Sequence, residues 1–156
     1  MKEFIDEKCP NMKYVDIAKG CGFSVSYIYS IRHRETTTYQ MSTVLRMMFG
    51  LSRLLKCSAE DLFVEYILGE VRDEYPLVHM STVRSWLNHY KEEGETLKDL
   101  SIRVGIEQTS MSDWFHRNAF PTDTVLRWLL IAMEGHSSEQ QCRSFFRVTI
   151  EQRCRL

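Results

Sequence analysis

With 156 residues, 44% of them hydrophobic, the chain suffices for one ordinary domain or two small ones and for a real core, which excludes wholesale disorder. A formal charge of −1 argues against bulk electrostatic attraction to nucleic acid, so any such surface must lie in a local concentration of cations. The longest strongly apolar run, WLLIAM at 128–133, is too short to cross a bilayer, and the opening MKEFIDEKCP lacks the apolar stretch of a secretion signal, so a cytoplasmic location and no membrane contact are expected.

In chain order, the periodicity predicts short helices over 2–9, 14–20 and 24–33, then longer ones beginning near 43 and 58. Pro10 stops the first, and Ser42 is the expected N-cap of the fourth. The second half predicts the same series: 81–93 behind Ser81, with Val83, Trp86, Leu87 and Tyr90 on one face, then 97–103 and 107–116, and helices beginning near 124 behind Asp123 and near 138. No strand pattern exceeds a few residues. The expected fold is all-α.

The parallel between the halves is an internal repeat. STVLRMMFGL (42–51) and DTVLRWLLIA (123–132) share Thr-Val-Leu-Arg, offset by 81 residues. DIAKGCGFSVSYIYSIRHR (16–34) matches DLSIRVGIEQTSMSDWFHR (99–117) at an offset of 83, each opening on Asp and closing on His-Arg. CSAED (57–61) and HSSEQ (136–140) follow at an offset of 79. Two copies of one helical unit are therefore expected, over 1–71 and 80–156, joined by a connector at 72–79 containing Pro76.

Within each copy a glycine, Gly22 or Gly105, stands between two short helices where a tight turn needs positive φ. Ala18 and Ser101, four residues earlier, are small enough for close helix approach. Ile17 and Leu100 point inward, as do Ile28 and Ile31 or Met111 and Trp114 on the next helix, while Phe23 and Ile106 plug the turn. Gly20 weakens its helix.

IAKGCGFSVSYIYSIRHRE and LSIRVGIEQTSMSDWFHRN resemble helix 2, turn and recognition helix of the Cro/C1-type (XRE) helix-turn-helix family, and LRMMFGLSRLLKCSAEDLF resembles its helices 4 and 5. The resemblance implies two tandem helix-turn-helix units and double-stranded DNA as partner. It places base reading on Val25, Ser26, Tyr29 and Ser30 in the first copy and on Gln108, Thr109 and Ser112, beside Asp113, in the second; Ser, Thr and Gln can hydrogen-bond base edges. Lys13, Ser24, Arg32, His33 and Arg34, with Arg117 in the second copy, become the candidate phosphate contacts. Both copies lack the glycine that often follows the family's recognition helix; Arg34 and Arg117 stand there.

Charge separates the copies. Residues 12–34 hold Lys13, Lys19, Arg32 and Arg34 against Asp16, a net +3; residues 95–117 hold Lys98, Arg103 and Arg117 against Glu95, Asp99, Glu107 and Asp113, a net −1. Phe115 replaces Arg32 in the alignment. The first copy is thus the expected DNA reader, and the second is open to weak DNA reading or to a protein partner. A transcriptional regulator, a repressor of phage or mobile-element type, is the leading expectation. Its rivals are an anti-CRISPR-type protein engaging a nuclease, which this layout also resembles, and an antitoxin.

The remaining chemistry is sparse. Cys9, Cys21, Cys57, Cys142 and Cys154 are an odd number without CxxC spacing, which suits reduced thiols. His33, His79, His89, His116 and His136 form no ligand spacing with them, and no GxGxxG, P-loop, HExxH or GxSxG is present, so no metal, cofactor or enzyme activity is expected. DEY (73–75) and KEEGE (91–95) read as solvated charge, and Met47, Met48 and Met133 as core. In the C-terminal segment Ser138 and Gln141 read as a capping box. Cys142, Phe145, Phe146, Thr149 and Ile150 make a stripe among Arg143, Arg147, Arg153 and Arg155, either core or a homodimer contact; Tyr66–Ile67–Leu68 is a second candidate pairing patch.

Overall fold

Apolar residues at three- and four-residue spacing give each segment one stripe to bury, and the described residues form ten α-helices and no strand. The computed structural model describes residues 1–33, 38–69, 82–117, 119–132 and 138–154. The chain divides into two compact units, Met1–Glu70 and Val71–Leu156; the connector 72–79 lies outside the described residues.

Unit 1 contains α1 (Lys2–Lys8), α2 (Tyr14–Cys21), α3 (Val25–His33), α4 (Met41–Leu55) and α5 (Ala59–Leu68). Unit 2 contains α6 (Val83–Tyr90), α7 (Leu97–Val104), α8 (Gln108–His116), α9 (Asp123–Ala132) and α10 (Ser138–Cys154). The pairings repeat. α1 packs on α3, α2 on α3 and α4, and α4 on α5; α6 packs on α8, α7 on α8 and α9, and α9 on α10. In each unit the first and last helices meet through an aromatic edge, Phe4 on Tyr66 at 5.4 Å between ring centroids and Trp86 on Phe145 at 5.1 Å. Phe145, Phe146, Cys142 and Thr149 are buried, as are Tyr66 and Ile67. Most of both stretches is therefore core, because each supplies the apolar face its own helix must bury; Ile150 and Leu68 are half-buried.

The helix starts differ from expectation. α4 begins at Met41, whose side chain is buried, so the cap position falls on Gln40 rather than Ser42, without a side-chain cap bond. α9 starts at Asp123 itself, with Thr122 before it; the Asp123 carboxylate is buried and accepts from the Thr124 amide at 2.8 Å. α6 is shorter than the 81–93 expected. Thr82 caps it in a reciprocal pair with Ser85, and Lys91 leaves in an extended conformation. Ser81, Met133 and His136 lie outside the described residues, as do the side chains of Tyr90, Ser138 and Arg153.

Two glycines permit the α2–α4 crossing. A Cβ on Gly50 would lie 2.4 Å from the Cα of Cys21, and one on Gly20 2.5 Å from Cδ1 of Leu54. Gly20 is thus a packing residue: its helix-propensity cost, about 1 kcal/mol, is set against close approach of the neighbouring helix.

The burial pattern also corrects the repeat. Thr-Val-Leu-Arg would equate Met47 with Trp128, yet Met47 is fully buried and Trp128 is 58% exposed. Shifting the match by one residue aligns the helix starts Met41 and Asp123, the buried Val44 with Leu126, and Met47 and Met48 with Leu129 and Leu130. Trp128 then corresponds to Arg46 and Ile131 to Phe49. Burial rather than residue identity sets the register, because a helix turned by one residue, 100°, buries a different stripe.

Candidate nucleic-acid interface

The two turns are built alike. Gly22 has φ 68° and ψ 30°, and Gly105 has φ 68° and ψ 31°. The Phe23 amide donates to the Ala18 carbonyl at 2.9 Å and the Gly22 amide to Lys19 at 3.4 Å; Ile106 donates to Ser101 at 3.0 Å and Gly105 to Ile102 at 3.2 Å. This six-to-one plus five-to-two pattern is the Schellman motif. It ends the second helix and aims the third.

In unit 1 the third helix turns Ile28 and Ile31 inward and leaves Val25, Ser26 and Tyr29 exposed, with Ser30 half-buried. Ser24 caps α3, its hydroxyl accepting from the Tyr27 amide at 3.2 Å and lying 3.1 Å from the Ser26 hydroxyl. The far end of the face is aromatic. The Tyr29 ring lies 4.1 Å from His33 and 6.0 Å from Tyr14, and the Tyr14 hydroxyl meets His33 Nε2 at 3.1 Å. Tyr29 is thereby held against its neighbours while remaining open to solvent. Such a face offers methyl groups, hydroxyls and a restrained aromatic ring, the chemistry that reads base edges and thymine methyls.

Arg32 does not belong to that surface. Its Nε donates to Asp6 on α1 at 2.5 Å, its guanidinium lies 4.8 Å from the Tyr14 ring centre, and its side chain is only 11% exposed. The residue faces α1 because α3 presents that side to α1, and the buried cation is neutralised there. Arg34 lies outside the described residues. Lys13 and Lys19 are exposed.

Two further cations, both on α4, border the turn. Arg46 donates to the Gly22 carbonyl and lies 4.4 Å from the Phe23 ring centre; Arg53 donates to the Gly20 carbonyl at 2.9 Å. Both are exposed. They complement the partial negative charge at the C-terminus of α2. Their spacing of seven residues puts them on one helix face, a signal present in the sequence but assigned to no partner.

Unit 2 presents a different surface. Gln108 and Thr109 are exposed, and the Thr109 hydroxyl reaches Glu107 at 3.5 Å. Ser112 is half-buried. Arg117 is exposed but pairs with Asp113 at 3.3 Å, and His116 is exposed at the helix end. Phe115 lies beneath Arg84 of α6 at 4.7 Å, so the contact between first and third helices keeps its cation but moves it to the other helix. Trp128 Nε1 donates to the Val104 carbonyl at 2.7 Å, doing with an indole what Arg46 does with a guanidinium. Glu95 of the KEEGE stretch is not solvated. Its buried carboxylate accepts two bonds from Arg103, at 2.7 and 2.8 Å, and one from the Glu92 amide, and the Arg103 bonds hold its pKa below the usual carboxylate value.

Among the described residues, no three His, Cys, Asp or Glu side chains gather as metal ligands would, and no helix is long and apolar enough to cross a membrane. Cys9 and Cys21 are buried free thiols, Cys57 is an exposed one and Cys142 is buried; burial raises the Cys21 pKa to about 11. Compared with protein-family models, curated proteins and solved structures, the chain matches none.

Proposed function

We propose that the chain is a sequence-specific, DNA-binding transcriptional regulator, a repressor of phage or mobile-element type that acts in the cytoplasm by covering a promoter. The observation that carries this reading is the α3 face: Val25, Ser26 and Tyr29 stand exposed on a helix held by a glycine turn, with Lys13 and Lys19 exposed on the preceding segment and α2. The resemblance to the Cro/C1-type family supports the same use of that helix. Base contacts come from Ser26, Ser30, Tyr29 and Val25, and phosphate contacts from Lys13 and His33. Two chains on a palindromic site is the proposed assembly, since one small module buries little surface on DNA. The pairing surface then lies outside the buried C-terminal stripe.

Selection from random duplex DNA tests this. A single preferred motif is expected, and replacing Ser26 and Ser30 with alanine should relax it by about 1–3 kcal/mol. Absence of duplex binding at low salt ends the regulator reading.

A second reading, a protein-binding role in the manner of an anti-CRISPR protein or antitoxin, is favoured by unit 2, where Trp128 and Ile131 stand 58% and 74% exposed beside a helix 3 bearing Asp113. A host-extract pull-down lost on Trp128→Ser and Ile131→Ser, with DNA selection empty, would favour it.

A further inference from the structure

We propose that unit 2 pairs two copies of this chain through an apolar patch made of Ile102 on α7 with Trp128 and Ile131 on α9. Ile102, Trp128 and Ile131 are 69%, 58% and 74% exposed. α7 packs on α9, and the Trp128 indole donates to the Val104 carbonyl, two residues beyond Ile102. Ile131 follows Trp128 at i+3, on the same side of its helix. The indole is thus tied through Nε1 to the end of α7 while more than half of the residue stays open to solvent. A ring held in place beforehand loses little freedom on pairing.

Charge and area point to a second copy as the occupant. None of the three side chains is charged, so the patch is its own complement across a two-fold axis. Its rim carries both signs. Exposed Lys98 stands four residues before Ile102 on α7, and Glu92 and Glu93 line a hollow together with Ile102. A two-fold pairing can set the cation of one copy against the carboxylates of the other. The three residues leave roughly 400 Å² uncovered, about half of the ~800 Å² that each partner gives to a standard interface. That area suits a dimer of micromolar stability whose rim completes the contact.

Unit 1 lacks such a patch. The positions matched to Ile102 and Trp128 hold Lys19 and Arg46, both exposed. Across a two-fold axis those cations would face their own copies and repel. Ile102 and Trp128 remove that repulsion from unit 2 alone. The pairing stands by itself; its use, to bring two α3 faces onto one palindrome, rests on the regulator reading.

Sedimentation velocity of the full chain across micromolar concentrations tests the proposal. A dimer is expected, and its dissociation constant should rise about tenfold or more with Ile102→Asp or Ile131→Asp, and less with Ile131→Val. Circular dichroism should retain the helical signal of each variant, since both side chains already face solvent. Tryptophan emission should move to shorter wavelength as the unaltered chain pairs, and stay fixed with dilution in Ile131→Asp. A chain that remains monomeric, or a dimer that neither aspartate weakens, would overturn the proposal. A host protein captured by a monomeric chain and lost on Ile131→Asp would overturn it in favour of a different partner. On DNA, Ile131→Asp should keep its affinity for a single half-site and lose about tenfold of the preference for a palindrome. A chain that pairs as expected yet binds no duplex would end the regulator reading and leave the pairing standing.

Discussion

The two units share a turn to within a degree and differ in nearly everything that faces solvent beside it. Gly22 and Gly105 close the same hydrogen-bond pattern, and in each unit a residue of the fourth helix reaches the carbonyl end of the second. In unit 1 that residue is Arg46, and cations border the turn. In unit 2 it is Trp128, and the surface becomes apolar, with Glu107 and Asp113 on or beside the third helix. The two units have the same helix pairings and the same turn, because turn and core permit few alternatives. Exposed positions carry no such constraint, so function can diverge there.

The sharpest way to break the comparison is at the helix crossing. Gly50→Ala places a methyl into the backbone of Cys21 and should destabilise unit 1 by about 3 kcal/mol. All three tryptophans, Trp86, Trp114 and Trp128, belong to unit 2, so their fluorescence reports that unit alone. The expected outcome is a lowered melting transition by circular dichroism and an unmoved one by tryptophan fluorescence. Coincident shifts would show the units unfolding as one body.

Next come the turns. Valine at Gly22 or Gly105 must adopt positive φ, at roughly 1–3 kcal/mol. The Gly22 variant should be the worse, since its Cβ would meet Arg46 Nη2 at 3.2 Å, whereas the nearest atom to a Cβ on Gly105 is Trp128 Nε1 at 3.8 Å. Equal losses in paired urea melts would mean that the two latches are equally compliant.

Arg32→Ala is expected to cost unit 1 about 1–2 kcal/mol by stranding Asp6 and uncovering Tyr14, while leaving the salt dependence of the proposed DNA binding unchanged. A salt slope reduced by about one would return Arg32 to the phosphate surface.

The smallest expected effects concern pH, and they have opposite signs in the two units. Glu95 and Asp99 in unit 2 have lowered pKa values, caused chiefly by hydrogen bonds from Arg103 and Thr96. Their stabilisation is present above the unfolded carboxylate pKa and lost as pH falls through the folded one. In unit 1 the bond to Glu65 raises Lys8, and burial raises Cys21 from 9.0 to about 11. Stability linked to these is full below their unfolded pKa values and lost as pH rises through the folded ones. Acid should therefore weaken unit 2 first and alkali unit 1. Glu95→Gln should flatten the acid limb seen by tryptophan fluorescence, with a loss of about 1 kcal/mol at neutral pH.

Much of this was legible in the chain. The glycines, the small residues four before them, and the inward pairs Ile28–Ile31 and Met111–Trp114 all sit where the spacing placed them, because a helix period and a positive-φ turn are local properties. The candidate reading face was legible for the same reason: Val25, Ser26 and Tyr29 oppose the apolar stripe. Arg32 was misplaced because local charge says nothing of a carboxylate 26 residues away on α1.

Sequence alone determined the order of the helices and the two glycine turns, each encoded within a few residues. Only the tertiary structure decided that Gly20 and Gly50 exist for a helix crossing, that the fourth helices align one residue away from their shared Thr-Val-Leu-Arg, and that Arg32 is inside while Arg46 is outside. These depend on which side of a helix meets a neighbour distant in sequence. A rotation of 100° per residue makes that side sensitive to a one-residue shift that composition and spacing do not register.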